Sequence, residues 1–431
     1  MKYKMKQKKN QRIERITTST LVVGADIAKK THVARAVDYR GIELGRDCWF
    51  NNDREGLTKL AIWMKELQQK HHKTQVVLGI EPTGHYWFPL AQFLQEEGVK
   101  VVIVNPHHVN KSKELEDNSP TKNDYKDAKV IADLVRNGHY SEPKLPTKEY
   151  ADLRILMNIR EKVMDALGQT QRRVQNWLDR FFPEYMEVFK SWDGAASLIV
   201  LREFPTPEEI VSLGTQNIVQ RWKKDIKRAV GLKRAAKLVA TAKDSIGLHE
   251  GLAAARVELR TLLEQYDMYV RQERELMEQV TKRLEEIPGT AEMLTIPSVG
   301  IVTLAGFLAE VGDLSDYEHG QQIVRLAGLN LKENSSGKRK GLPGITKRGR
   351  SRLRALLFRC VLPMVAKNKE FKALHQHYTT RSINPLKKKQ SLIALCCKLI
   401  RVLHTLGTKI KTYNAEDVLG PKKLEQLQMV A

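Results

Sequence analysis

The run TLVVGADIA, residues 20–28, is short, apolar and closed by an acid, Asp26. Such a run, too brief for a helix and rich in β-branched residues, reads as a buried strand. The same texture continues outward. HVARAVD (32–38) alternates, Gly41 turns the chain and IELGRDCWF (42–50) follows, which predicts three successive strands. REGLTKLAIWMKELQQ (54–69) has helical periodicity, TQVVLGIEPTG (74–84) is a buried strand ending at Glu81, YWFPLAQFLQEEG (86–98) is helical, and VKVVIVNP (99–106) is buried strand again. A β-β-β-α-β-α-β order, closed by helical signal from Tyr125 to Asn137, predicts a mixed α/β domain over residues 19–146.

The flanks differ in texture. Residues 1–18 read as a disordered basic arm able to touch phosphates, or as a solvated tail. Strand signals vanish after residue 147. In the stretch 257–287, Leu259, Leu263, Tyr266, Val270, Met277, Val280, Leu284 and Ile287 recur at three- and four-residue steps, interrupted only at Glu273 or Arg274. That is one long amphipathic helix, an arm of a coiled-coil hairpin whose other arm is residues 147–190. A small helical insert lies between them, and Pro288-Gly289 ends the helix. This gives a helical coiled-coil region at 147–289, a mostly helical C-terminal domain at 290–408 and a polar, frayed tail at 409–431. The fold class is α/β followed by all-α.

Lys and Arg number 73 against 50 Asp and Glu, a net charge of +23. That excess predicts salt-sensitive attraction to polyanions, nucleic acid before an anionic membrane. No run approaches the ~20 apolar residues that span a bilayer. The basic N-terminus is not followed by the apolar segment of a secretory signal. Cys48, Cys360, Cys396 and Cys397 form no CxxC pair, so reduced thiols and a cytoplasmic location are expected.

Four acids stand out by position. Asp26 and Glu81 end strands, and open α/β sheets carry their sites at the carboxyl ends of strands. Asp124 and Asp127, three apart in TKNDYKDAKVIADL, share a face if that segment is helical. Together they can cage Mg²⁺ or Mn²⁺ with hard oxygens. Each alone has a plainer reading, Asp124 as a helix N-cap for instance. The adjacent or i,i+2 histidine pairs face apart on a helix and make no competing cluster. A second concentration of chemistry is NSSGKRKGLPGITKRGRSRLR, residues 334–354, with eight basic residues and no acid. Lys338, Arg339, Lys347, Arg348, Arg350 and Arg352 are candidates to hold a nucleic-acid backbone. Beside them stand Ser335 and Ser336; with no His or Asp next to Ser336, the local sequence supplies no triad.

GADIAKKTHVARAVD, GIEPTGHYW, NPHHVNKSK, SPTKNDYKDAKVIA, IPSVGIVTLAGFLAEVGD, LAGLN and SSGKRKGLPGITKRGRSRLRALL occur in this order. In these motifs the chain resembles the DEDD transposases of bacterial insertion sequences of the IS110 family, the bridge-RNA-guided recombinases. The resemblance covers most of residues 20–370, with the helical middle similar only in composition. It implies a RuvC-like, RNase H-type N-terminal domain whose DEDD acids are Asp26, Glu81, Asp124 and Asp127. It also implies a C-terminal transposase domain with a serine nucleophile, Ser336 preferred over Ser335. Its further implications are donor and target double-stranded DNA as substrates, a structured non-coding bridge RNA as partner, and dimers that pair into a tetramer on DNA, with no membrane.

Three smaller segments carry double readings. Residues 297–300 turn a helix-hairpin-helix whose amides could meet a phosphate, while packing explains its apolar residues equally. His85, Tyr86 and Trp87 either stack on a base or, with more weight, form a core cluster at a helix start. Lys223, Lys224, Lys227, Arg228, Lys233 and Arg234 are candidate RNA contacts or a solvated face. Three rival functions are set against RNA-guided serine recombination. They are a metal-only RuvC-like nuclease or junction resolvase in which water attacks, an actin-like ATPase or sugar kinase, and a non-catalytic architectural protein. The kinase lacks a second Gly-rich phosphate loop, and the architectural protein leaves four acids unexplained.

Overall fold

The computed structural model describes residues 2–82, 84–116, 124–142, 148–227, 231–332, 335–336, 339–340 and 344–420. Of residues 2–6, 8, 114–116, 124, 125, 335, 336, 339 and 340 only the backbone is described. The chain divides into two compact units, residues 1–145 and 146–431.

The first unit is α/β. Strands β1 (Thr20–Asp26), β2 (Thr31–Val37), β3 (Cys48–Asn51), β4 (Gln75–Ile80), β5 (Lys100–Val104) and β6 (Tyr140–Ser141) form one sheet, in the order β3-β2-β1-β4-β5-β6. β1, β4 and β5 are parallel; β2, β3 and β6 run antiparallel to their neighbours. Its helices are α1 (Lys2–Glu14), α2 (Arg54–Lys70), α3 (Trp87–Glu96), α4 (Pro106–Glu116) and α5 (Asp124–Arg136). The period of two along a strand sorts the core. Leu21, Val23 and Ala25 of β1, with Leu78 and Ile80 of β4, pack against Leu57, Leu60 and Met64 of α2 and Leu90 and Leu94 of α3. Val22 and Val77 face the other way and pack with Val130, Ile131 and Val135 of α5. Asp53 caps α2, accepting the Gly56 N–H at 2.7 Å. Trp87 is buried in the core and Tyr86 packs against it, which is the core reading of that cluster; His85 is exposed.

The N-terminal arm differs from expectation, for Lys2–Glu14 is helical. It is held at its end. Arg12 lies over the Tyr140 ring at 5.5 Å, Arg15 pairs with Glu142 at 3.0 Å, and Ile16 packs against the α5 side of the core. Two arginines and one isoleucine of the basic run thus make these contacts with the sheet unit.

The second unit is helical apart from short β-ladders. Two 34-residue helices, α6 (Lys148–Phe181) and α11 (Leu252–Glu285), pair lengthwise, with Trp177 Nε1 donating to the Ala255 carbonyl at one end and Arg283 bound to Asp152 at the other. α11 does not break at Glu273. The apolar pattern lapses there because Glu273 receives Arg160 of α6, two guanidinium N–H groups donating to Oε1. The insert consists of α7 (Tyr185–Val188), α8 (Ala195–Glu203), α9 (Pro207–Asp225, interrupted at Gly214) and α10 (Leu232–Lys243). It builds a core on one end of the pair around Trp177, Phe182, Tyr185 and Trp222.

The other end of the pair enters a separate core. It is built with α12 (Thr290–Leu294), α13 (Ile301–Val311), a 3₁₀ turn (Leu314–Asp316), α14 (Gly320–Leu326), α15 (Ser351–Lys367), α16 (Lys369–Thr380), α17 (Lys388–Lys409) and α18 (Ala415–Leu419). Leu153, Val280, Leu284 and Ile287 of the long helices are part of that core. The expected boundary at 289/290 is therefore not a break in compactness. The tail expected to fray after residue 408 is folded as far as residue 420, because Val418 is buried and the Tyr413 N–H donates to Thr295 Oγ1 at 2.8 Å; residues 421–431 lie outside the description. Against the expectation of no such run, α17 is long and apolar enough to cross a membrane, but Leu395, Cys396, Leu399, Ile400 and Leu403 make it a core helix. Cys48, Cys360 and Cys396 are buried free thiols and Cys397 is partly buried.

Candidate active site

β1 and β4 carry the same short pattern, glycine then acid two residues on: GAD at 24–26 and GIE at 79–81. The strands are parallel neighbours with Gly24 opposite Gly79 and Ala25 opposite Ile80, so Asp26 and Glu81 stand at adjacent strand ends. By the two-residue alternation both acids share the face that Val22 and Val77 turn to α5. The glycines set the distance of that helix. A Cβ on Gly24 would collide with the Ala128 carbonyl and the Ala132 amide nitrogen of α5, and one on Gly79 with the Val135 side chain. Ala128, pressed onto the sheet two residues before Asp26, follows Asp127 directly. Close approach of the α5 backbone thus brings Asp127 to the carboxyl ends of β1 and β4.

Asp127 is 7% exposed and pairs with Lys113 of α4, which donates from Nζ to Oδ2. Burial pushes the Glu81 carboxyl above its ordinary range. The Lys113 ammonium opposes this, and the charges of Asp26 and Asp127 add to it. Three of the four predicted acids therefore act on one another around one ammonium. Asp124 is the first residue of α5, three before Asp127, and its side chain lies outside the description. Among the described residues no three His, Cys, Asp or Glu groups lie close enough to hold a metal by themselves. In donor chemistry, though not in the spacing of the described residues, the set is that of a hard divalent cation. It is all carboxylate oxygen, it is half-buried, and its mutual repulsion already draws a positive charge among the acids.

Four further residues shape the site without a role read from the sequence. Lys113 stood in the quoted NPHHVNKSK without a role. Gly24 and Gly79 carried a usable signal, since a lone glycine inside a strand pattern marks close backbone approach. His32, 1% exposed, accepts the Ala28 N–H on Nδ1 at 3.1 Å and so fixes the turn that leaves Asp26; burial lowers its pKa.

The serine motif belongs to the second unit. β7 (Leu331–Lys332) pairs with β10 (Gly344–Ile345), and between them in sequence β8 (Ser335–Ser336) pairs with β9 (Arg339–Lys340), Ser336 opposite Arg339. The base of this nested arm is tied down. Thr346 N–H donates to the Asn330 carbonyl at 2.8 Å, Thr346 Oγ1 bonds Asn330 Oδ1 at 2.9 Å, and Arg350 N–H donates to the Leu326 carbonyl at 2.8 Å. Gly349, at φ 150°, has no room for a side chain against the Leu326 carbonyl.

The basic candidates separate into two groups. Lys347 and Arg348 are exposed and have no side-chain partner among the described residues. Arg350, partly buried, and Arg352, exposed, each have partners within the chain. Arg350 binds the Glu310 carbonyl and carboxylate, and Arg352 pairs with Glu161 at 3.1 Å and donates to Asn158. Lys338 lies outside the description, and of Arg339 only the backbone is described. In the hairpin between α12 and α13, Ser298 is exposed at φ 74° and Val299 is buried.

Two family models match the chain. One described as Transposase, of the DEDD IS110 type, matches residues 23–183, and one described as Transposase IS116/IS110/IS902 family matches residues 282–376. Together they take in more than half of it. The chain is 27% identical over 342 residues to the 44.8 kDa protein of insertion element IS116 of Streptomyces clavuligerus, covering 78% of this chain and 82% of that one. It is 23% identical to the transposase for insertion sequence element IS1111A of Coxiella burnetii, covering 73% of each. It is 34% identical over 129 residues to the pilin gene-inverting protein of Moraxella lacunata, covering 30% of this chain and 37% of that one.

Proposed function

The chain belongs to the IS116/IS110/IS902 family of insertion-sequence transposases, and on that premise we propose that it cuts and rejoins DNA through a serine–DNA phosphodiester under the guidance of a structured RNA. The observation that carries the reading is the convergence of Asp26, Glu81 and Asp127 at the ends of β1, β4 and the start of α5. The sheet order, with β1, β4 and β5 parallel and β2 and β3 antiparallel, supports a RuvC-like, RNase H-type first unit.

Asp26, Glu81 and Asp127, with Asp124 from the resemblance, would hold Mg²⁺ or Mn²⁺, which supplies Lewis-acid polarisation of the phosphate and eases deprotonation of the attacking hydroxyl. Gly24 and Gly79 keep the acids in register, and His32 holds the turn beyond Asp26. Ser336 Oγ forms the new P–O bond while the P–O bond to the sugar breaks, and the leaving sugar oxygen takes up the proton that the serine gives up. One phosphodiester replaces another, so rejoining needs no ATP. Lys347 and Arg348, exposed at the base of the serine arm, would hold the DNA backbone. Lys223, Lys224, Lys227, Lys233 and Arg234 are exposed and suit RNA phosphates, while Arg228 lies outside the description. The acids lie in the first unit and the serine in the second. Assembly into dimers and a tetramer would let one subunit's acids serve another's serine.

The test is a covalent-adduct gel. Protein co-expressed with the element's non-coding flank is given labelled junction DNA and Mg²⁺. We expect a protein-linked band that persists in Ser335→Ala and disappears in Ser336→Ala and Asp26→Ala. Cleavage without an adduct, retained in Ser336→Ala, would replace this reading with a metal-only nuclease.

A further inference from the structure

We propose that the solvent face of α6 between Gly168 and Asn176 docks double-stranded DNA, an inference that rests on the chain being a DNA transposase. Residues 166–178 of α6 contain no acid, while Glu161, Asp165 and Asp179 flank that stretch on the same helix. Gln169, Arg172, Arg173 and Asn176 are exposed, and their spacing of three, four and seven sets them on one face, lining a shallow concavity with Gln175.

The charges on this face are left over. Elsewhere on this helix pair and its insert, Arg160, Arg180, Arg202 and Arg283 pair with Glu273, Glu258, Asp267 and Asp152. Arg260 and Arg274 have no partner among the described residues but stand four residues from Glu264 and Glu278. Arg172 and Arg173 have no partner among the described residues, and no acid lies within four positions on their own helix. A cationic face with no internal counter-charge is complementary to a polyanion.

Gly168 is the second, independent observation. A glycine inside a helix costs stability relative to alanine. Nothing in the fold asks for it here, since an added Cβ would meet only Arg172 Nη1, at an ordinary 3.6 Å. The missing side chain leaves the helix backbone open to close approach from outside. The span from residue 169 to 176 is about 10 Å, roughly three base pairs, and a B-DNA major groove about 12 Å wide admits a helix. Arginine and the amides of Gln and Asn are also the side chains that pair with guanine and adenine edges.

The test uses the full-length protein with its co-purified RNA, labelled junction duplex, and anisotropy from 50 to 200 mM salt. The double change Arg172→Gln with Arg173→Gln should weaken duplex binding about tenfold and lower the slope of log affinity against log salt by about two. Gly168→Ala should raise the melting temperature yet weaken duplex binding, a combination that misfolding does not produce. Unchanged affinity and slope would overturn the proposal. So would loss of the bound RNA with duplex affinity intact, or a change of molecular mass by light scattering that accounts for the binding loss. The adduct gel is run in parallel. Ser336→Ala should bind duplex with the parent slope, so a failed serine mechanism leaves this docking result standing, and a failed docking result leaves the adduct.

Discussion

Asp26 and Glu81 stand at the ends of hydrogen-bonded strands, with fully buried side chains on both faces of the sheet and a helix seated on paired glycines. Ser336 stands in a two-residue strand whose ladder partner is an equally short strand, on an arm secured at its base by Asn330, Thr346 and the Leu326 carbonyl. The acids are set by packing before any substrate arrives. The strand of the serine is paired by a two-residue ladder, and under the proposed mechanism nucleic acid and assembly would complete its placement. The two regions thus differ in how they are held: the acids by close packing on both faces of a sheet, the described part of the serine arm by a few backbone and side-chain bonds.

The strongest way to break this contrast is Asp127→Asn. If the acids are pre-set for catalysis, adduct formation should fall by about 10²–10³, with thermal unfolding and duplex binding near those of the parent. A fall of less than about tenfold would mean that Asp127 serves mainly to bind Lys113. Next in size is Gly24→Ala. Its methyl meets backbone rather than a side chain, so α5 must shift, at about 1–3 kcal/mol; hydrogen exchange should rise in α5, and adduct yield should drop with it. Lys113→Met removes the ammonium from among three acids, at about 1–3 kcal/mol in metal-free buffer for this half-buried pair. Added Mg²⁺ should restore more of the melting temperature in the variant than in the parent, and equal restoration would count against a cation site there. The smallest effect tests the arm. Asn330→Ala should cost about 1 kcal/mol or less, the scale of one hydrogen bond, yet slow adduct formation more than it lowers stability.

Much of the rigid half was legible. The alternation from residue 20 to 104 and the acids closing two apolar runs were enough to place the strands and the candidate site. The shared Gly-x-acid pattern was visible too, but its meaning needs the parallel register that puts Gly24 opposite Gly79. Lys113 could not be read, since nothing in a single chain says which lysine folds back onto an acid fourteen residues away. The serine arm and its basic flank were harder for a physical reason. Two-residue strands have no periodicity, and Arg350 and Arg352 look like Arg348 until Glu310 and Glu161 are brought to them by tertiary packing. In the long helix the lapse at Glu273 resembled a break because its compensation, Arg160, lies 113 residues away.

The two 34-residue helices join cores that share none of their buried residues, one around Trp177 and Trp222, the other around Leu284 and Leu308. Between Leu263 and Val280 no residue of α11 is buried. Each helix is about 50 Å long at 1.5 Å per residue. The pair is therefore a strut whose length can be edited. Removing one heptad from each helix in the same segment would shorten it by about 10 Å and return both ends to nearly the same rotational phase. Spacing between the two bodies is thereby a variable that sequence change can tune without repacking either one.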